Sequence, residues 1–393
     1  MEWALDKVAY LLFFVSHFVV SFPANDFDKN HSCHGNPDVP QCNLLYEVKN
    51  PDLEASAIDL YTVPHRGLWD RDTGNGPGSG PPENSVSAVQ QAYNNGYSFV
   101  ELDVMMTKDQ EIVCSHDYPT FRTTNSNDHN QYVFNTDQSL LAQLNLIRRN
   151  GTVSGDTMMT GGGLLDVIDN SGLILVLDPK EPIGRYVSGS CVEFCDNEYY
   201  KKVNWLLLVA KFLDDANDAN LLGRIAVKTF LFPNEILDGV TEVNPNTKET
   251  KSAQGLGISL MSQVLWIPML ISSQHDNNIN NLLGVVQSWN SSDYAPMLFY
   301  IETDFKNASD VQIQPFQEYQ NIMHYIADVV GIRSGLFAEE PIAPRGNYTR
   351  WAVGKMKNSG ADRRADLPWV LSNTYSGYMV ITSDVPEIWE QIR

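Results

Sequence analysis

Cations are scarce in this 393-residue chain: 27 Lys and Arg stand against 48 Asp and Glu, a formal net charge of −21. A polyanion would be repelled by such a surface, so nucleic acid and anionic membrane are excluded as main partners. A small phosphate ester held by a few local cations is not excluded. Long apolar runs are equally rare. One stretch, Val8–Val20, follows Lys7 and is interrupted only by Ser16 and His17. Its length is short for a bilayer span, and Val19-Val20-Ser21 offers small residues for cleavage. Residues 1–21 are therefore expected to be a secretory signal, and the mature chain to have no stable membrane span. The chain contains no nucleotide loop ending in Gly-Lys-Ser/Thr, no internal repeat and no low-complexity run. The Gly-rich stretches Asn75–Pro82 and Gly161–Gly163 read as loops.

Cysteine is sparse too, with five residues. Cys33 and Cys42 lie in a polar tail, residues 22–50, that cannot build a core, and Cys191 and Cys195 are four apart. Local disulfides within each pair are the expected arrangement, with Cys114 a buried strand thiol. Histidine at zinc-finger spacing is missing beside them, which disfavours a metal knuckle. Asn-x-Ser/Thr sequons begin at Asn30, Asn150, Asn290, Asn307 and Asn347. Together with the signal they predict a secreted, N-glycosylated protein with a disulfide-stapled tail.

What is present is a globular composition, 43% apolar and 19% charged, with strands and helices alternating along residues 51–393. Eight candidate strands are Ile58–Pro64, Ser98–Val104, Leu173–Asp178, Arg224–Lys228, Leu265–Ile271, Met297–Ile301, Gly335–Glu339 and Tyr378–Thr382. Helix candidates include Ser85–Asn94, capped by Glu83-Asn84, as well as Val203–Asp215 and Phe316–Val330. The alternation predicts an α/β fold, a (β/α)8 TIM barrel in a single domain.

Chemistry-bearing residues gather early. Alternation in Ser98–Val104 puts Glu101 and Asp103 on one face, with α-carbons about 6.5–7 Å apart, and Val100, Leu102 and Val104 on the other. In a barrel the acids would enter the lumen at the C-terminal mouth and could share a cation. Asp178, ending an apolar run, can add a third carboxylate, and Lys180 two residues on can meet a phosphate oxygen. His65 and Arg66 follow the first strand, and His116 follows Ile112–Cys114. Arginine suits bidentate phosphate contact and imidazole can take and return a proton near neutrality. The other histidines, His31, His34, His129, His275 and His324, read as structural.

These residues, in order, are His65-Arg66-Gly67, Pro82-Glu83-Asn84, Glu101-Leu102-Asp103-Val104, Thr107-Lys108-Asp109 and His116-Asp117, extended by Arg122-Thr123-Thr124. The set resembles the glycerophosphodiester phosphodiesterase family. Asp178-Pro179-Lys180 and Ile381-Thr382-Ser383-Asp384-Val385-Pro386 are looser echoes. The family usually has Glu where Asp178 stands; the related sphingomyelinase D enzymes have Asp-x-Lys. The family's late Trp-Thr-x-Asn strand has no counterpart here. The resemblance implies a phosphodiesterase barrel with one divalent cation, Mg2+ or Ca2+, on Glu101, Asp103 and Asp178. It makes His65 and His116 the acid/base pair and Arg66 the phosphate contact, with Glu83 and Asn84 in support. The expected substrate is a small phosphodiester such as glycerophosphocholine, or a lysophospholipid. Alternatives are a phospholipase-D-like lyase forming a cyclic phosphate, a carboxylate-pair glycoside hydrolase, and a non-catalytic secreted glycoprotein on the same barrel.

Overall fold

The computed structural model describes residues 61–69, 78–180, 185–187, 190–193, 198–243, 248, 250–270, 279–303, 326, 330, 331, 333–338, 378–383 and 386. The expected signal and tail, Cys33, Cys42, Cys195, and the sequons at Asn30, Asn307 and Asn347 lie outside these residues. So do His31, His34, His275, His324 and most of the helix expected over Phe316–Val330.

One sheet organises the molecule. Its strands in chain order are β1 (Tyr61–Pro64), β2 (Phe99–Met106), β3 (Ile112–Cys114), β4 (Ile174–Pro179), β5 (Ile225–Thr229), β6 (Leu265–Leu270), β7 (Ile301–Thr303), β8 (Ser334–Ala338) and β9 (Tyr378–Ser383). The spatial order is β1-β9-β8-β7-β6-β5-β4-β2-β3. Every pairing is parallel except that of β3, which returns antiparallel along β2. The ends meet, since β1 packs on β2 and Gly67 N donates to Glu101 O at 3.1 Å. The eight expected strands are the eight parallel ones. The largest shift is in β7: Ala295–Met297 forms a 3-10 turn, Leu298 makes an isolated parallel bridge to Trp266 of β6, and the continuous ladder to β6 and β8 begins near Ile301.

Period-two alternation sorts the side chains into two cores. Val63, Phe99, Ile174, Val176, Ile267 and Phe299 fill the lumen. Val100, Leu102, Val104, Leu175 and Leu177 face outward and pack on the helices α1 (Val86–Asn94), α2 (Gly161–Ser171) and α3 (Glu198–Asp218) through Val89, Leu164, Ile168, Trp205 and Phe212. The expected helix Val203–Asp215 lies inside α3. A further helix, α4 (Ile279–Trp289), adds Leu282 and Val286 to the same layer. None of the helices among the described residues is long and apolar enough to cross a membrane.

Two local expectations are corrected. The cap of α1 is Ser85, whose hydroxyl accepts from Ala88 N at 3.0 Å, while Asn84 turns to the lumen instead. Gly161–Gly163 is the first turn of α2, not a loop: Thr160 caps it by accepting from Gly163 N at 3.1 Å. A good cap outweighs the poor helix propensity of glycine. Cys114 is, as expected, a buried free thiol, and burial pushes its pKa up.

Candidate active site

The mouth is built from strand ends and the turns that follow them. After β1, Arg66 and Gly67 both have positive φ, 59° and 81°. A Cβ on Gly67 would stand 2.6 Å from the Ala88 Cβ, so only glycine lets the turn sit on α1. Arg66 holds its left-handed conformation because its backbone N–H donates to Glu101 Oε2 at 2.7 Å. Asn84, φ 53°, is fixed likewise. Its N–H donates to Arg66 O at 2.9 Å, its Nδ2 to Asp103 Oδ2 at 2.9 Å, and its Oδ1 accepts from Asp103 N at 3.0 Å. Non-glycine residues held at positive φ carry strain of order 1–3 kcal/mol, which concentrates at functional sites.

Glu101 and Asp103 come off β2 into the lumen and are 0% exposed; Asp178 comes off the adjacent β4, in register with Asp103. Ligand oxygens of the three lie within 4.8 Å of one another. Glu101 Oε1 is buried with no hydrogen-bond partner. Three hard oxygen donors, one of them buried and unsatisfied, fit a hard divalent cation.

The cations of the site face these acids. Lys180 Nζ lies 2.7 Å from Asp178 Oδ2 and 3.2 Å from Asp103 Oδ1. Arg66 Nε lies 3.3 Å from Asp103 Oδ2, and its NH1 donates to Glu83 Oε1 at 3.1 Å. Burial, then the Asp103 charge, push the Glu101 carboxyl up to about 7. Burial works the same way on Asp103, but Lys180, His116 and Arg66 outweigh it and hold that carboxyl well below its ordinary value. Burial would lower Lys180, yet Asp178 and Asp103 raise it.

The two histidines differ in setting. His65 is buried, its Nε2 3.9 Å from Glu101 Oε2. His116 is 28% exposed, and its Nδ1 bonds Asp117 Oδ1 at 2.8 Å. His129 lies on Phe121, ring centroids 3.6 Å apart. All nine residues singled out from the sequence, His65, Arg66, Glu83, Asn84, Glu101, Asp103, His116, Asp178 and Lys180, fall on this one end of the barrel.

Three participants were not singled out. Lys228, on β5, is 1% exposed and pairs with Glu302 Oε2, on β7, at 2.8 Å. Glu302 Oε1 also accepts from Thr382 Oγ1, on β9, at 2.7 Å. A lone charge inside the apolar strands Ile225–Thr229 and Ile301–Thr303 was the available signal. Lys228 reaches within 4.0 Å of Asp178 Oδ2 and so joins this pair to the acidic triad.

Residues 65–176 match the model described as the glycerophosphoryl diester phosphodiesterase family. The uncharacterized protein y4eD of Sinorhizobium fredii (strain NBRC 101917 / NGR234) is 25% identical over 225 residues, covering 53% of this chain and 56% of its own. The chain thus spans about half the length of the curated relative it matches. A solved glycerophosphoryl diester phosphodiesterase from Parabacteroides distasonis ATCC 8503 superposes with a TM-score of 0.50 at 14% identity, covering 90% of each chain. That likeness is one of fold, a barrel of eight parallel strands. In its motif-bearing segment, residues 65–176, this chain is thus similar to the glycerophosphoryl diester phosphodiesterase family.

Proposed function

We propose that the chain is a divalent-cation-dependent phosphodiesterase that hydrolyses small glycerophosphodiesters to an alcohol and glycerol phosphate. The observation that carries this reading is the convergence of Glu101, Asp103 and Asp178 within 4.8 Å, beside an arginine and two imidazoles. These three carboxylates would hold Mg2+ or Ca2+, which when bound supplies Lewis-acid polarisation of a phosphoryl oxygen. Arg66, gripped by Glu83 and Asp103, and Lys180 present cationic N–H groups to the phosphate. One of His65 and His116 removes a proton from the attacking oxygen and the other returns one to the leaving alkoxide. Asp117 orients His116 by accepting from Nδ1, which leaves Nε2 for the substrate.

Charge supports the same substrate class. In the lumen four carboxylates, Glu101, Asp103, Asp178 and Glu302, face three cations, Arg66, Lys180 and Lys228. One divalent ion and one phosphodiester monoanion bring that set to neutrality. A glycosidase carboxylate pair would need neither the arginine nor two imidazoles.

Asp178-Pro179-Lys180, which resembles the Asp-x-Lys of the sphingomyelinase D enzymes, supports a second reading, attack by a neighbouring substrate hydroxyl that expels the alcohol and leaves a cyclic phosphate. Phosphorus NMR during turnover of glycerophosphocholine, lysophosphatidylcholine and an analogue lacking the neighbouring hydroxyl tests both. Glycerol phosphate from the first substrate is expected. A cyclic species lost with the analogue would select the second reading, and intact substrates throughout would refute phosphodiesterase activity.

Secretion and N-glycosylation belong to the same proposal. Asn150 is exposed, and its Oδ1 accepts from Thr152 N at 3.0 Å and Thr152 Oγ1 at 2.7 Å. Protein from a eukaryotic host should begin near Phe22 and carry glycan at Asn150; a bare chain retaining Met1 would contradict this.

A further inference from the structure

Arg122 stands outside the reacting groups but touches both arms of the site. It ends the 3-10 turn Thr120–Arg122, which is tied down by Thr120 N donating to Gln131 O at 3.0 Å and Thr124 N donating to Thr120 O at 3.0 Å. The side chain is 8% exposed. Its NH1 and NH2 donate to Glu83 Oε2 at 2.8 Å and Oε1 at 2.6 Å. Its Nε donates to Asp117 Oδ2, and NH2 also reaches Asp117 Oδ1 at 3.1 Å. One guanidinium thus grips two carboxylates, each through both oxygens. Glu83 Oε1 in turn accepts from Arg66 NH1, and Asp117 Oδ1 bonds His116 Nδ1. The result is an unbroken path Arg66–Glu83–Arg122–Asp117–His116.

We propose that Arg122 is a positioning residue that fixes the phosphate-binding arm and the proton-transfer arm in one geometry. The inference deepens the phosphodiesterase reading and rests on it for the roles of Arg66 and His116. Only a planar fork serves two carboxylates at this angle; lysine, a point charge, cannot. While Arg122 holds Glu83, that carboxylate presents one oxygen to Arg66 NH1, and Arg66 Nε faces Asp103 Oδ2 at 3.3 Å. While Arg122 holds Asp117, the carboxylate is fixed as the acceptor from Nδ1, and the neutral His116 ring is kept as the single tautomer with Nε2 bare. The groups that act on His116 are Asp117 in contact, Arg122 behind it, and Asp103 through its charge.

The test uses the full chain with 15N-labelled histidine. Long-range 1H–15N spectra at a pH where the ring is neutral, assigned with H116N, should show one His116 tautomer in the wild type. R122Q, with folding checked by circular dichroism, should show both tautomers. Its KM for a glycerophosphodiester should rise and its kcat fall, each by about 10–100-fold. D117N should reproduce the tautomer mixture without the rise in KM, and E83Q the rise in KM without the mixture. A folded R122Q with a single tautomer and unchanged KM would overturn the proposal. If R122Q does not fold, the other two variants decide: separate effects support the proposal, and two effects that always move together overturn it. The tautomer is read without substrate, so its failure is distinct from a wild-type protein that cleaves no phosphodiester.

Discussion

Glu101 and Asp103 are two residues apart on one strand and fully buried, yet they titrate in opposite directions. Asp103 is surrounded by Lys180, Arg66 and Asn84. Glu101 receives the Arg66 backbone N–H at one oxygen and nothing at the other. The Glu101 carboxyl, raised from 4.5 to about 7, binds a proton in the folded chain between those values. Without a cation, stability therefore falls as pH rises through that window. A cation must displace the proton, so its affinity should weaken roughly tenfold per unit as pH falls below about 7. Calorimetric titration with Mg2+ or Ca2+ at pH 6, in buffers of different ionisation enthalpy, should report about one proton released. No release would contradict the assignment of Glu101 as a ligand. Glu83 and Asp117 behave oppositely. Burial would raise both, but Arg122 in each case outweighs it and holds them below their ordinary values. Their stabilisation is present above about pH 4.5 and is lost as pH falls through the lowered values. E83Q and D117N should each flatten the acid limb of the melting-temperature profile; an unchanged limb would show that this network does not govern acid unfolding.

At the level of elements, the strand-to-helix turns carry the site, and Gly67 is the clearest case. Alanine there meets both an unfavourable φ and a contact of 2.6 Å with Ala88. Alanine at Gly96 meets the φ penalty alone, with nothing within 4 Å. G67A should cost about 2–4 kcal/mol and G96A about 1–2, read by urea denaturation; equal costs would contradict the close packing of the turn on α1. The strands were legible because alternation and apolar runs are local properties. Glu101 and Asp103 could be assigned to the lumen on that basis alone, since Val100, Leu102 and Val104 had to meet the helices. Asn84 was misread as a cap because the choice between capping α1 and bonding Asp103 depends on the neighbouring strand. Arg122 had no assignable partner in sequence: Glu83 is 39 positions away and only the closed barrel brings them together.

At the scale of the molecule, the barrel has to bury a polar upper lumen above an apolar lower one. Phe99, Ile174, Val176 and Phe299 fill the lower part, while the upper part holds Glu101, Asp103, Asp178, Lys228 and Glu302 almost without solvent. Buried charges are tolerated only when matched. Burial would lower the Lys228 pKa, but Glu302, Glu101 and Asp178 outweigh it and raise it. K228M should therefore destabilise the fold by about 3–5 kcal/mol by stranding Glu302, and K228M/E302Q should recover part of that loss. Full additivity of the two changes in thermal or urea unfolding would show that the pair is not coupled.

The most direct measurement is phosphodiester hydrolysis by the purified chain after removal of metal by chelator, with metal content determined by elemental analysis. Glycerophosphocholine turnover should disappear and return when Mg2+ or Ca2+ is added, and neither ion should restore D103N, which should remain folded. Full turnover by the metal-free protein, or a D103N variant as active as the wild type, would contradict the assignment of Glu101, Asp103 and Asp178 as the cation site on which the proposed chemistry depends.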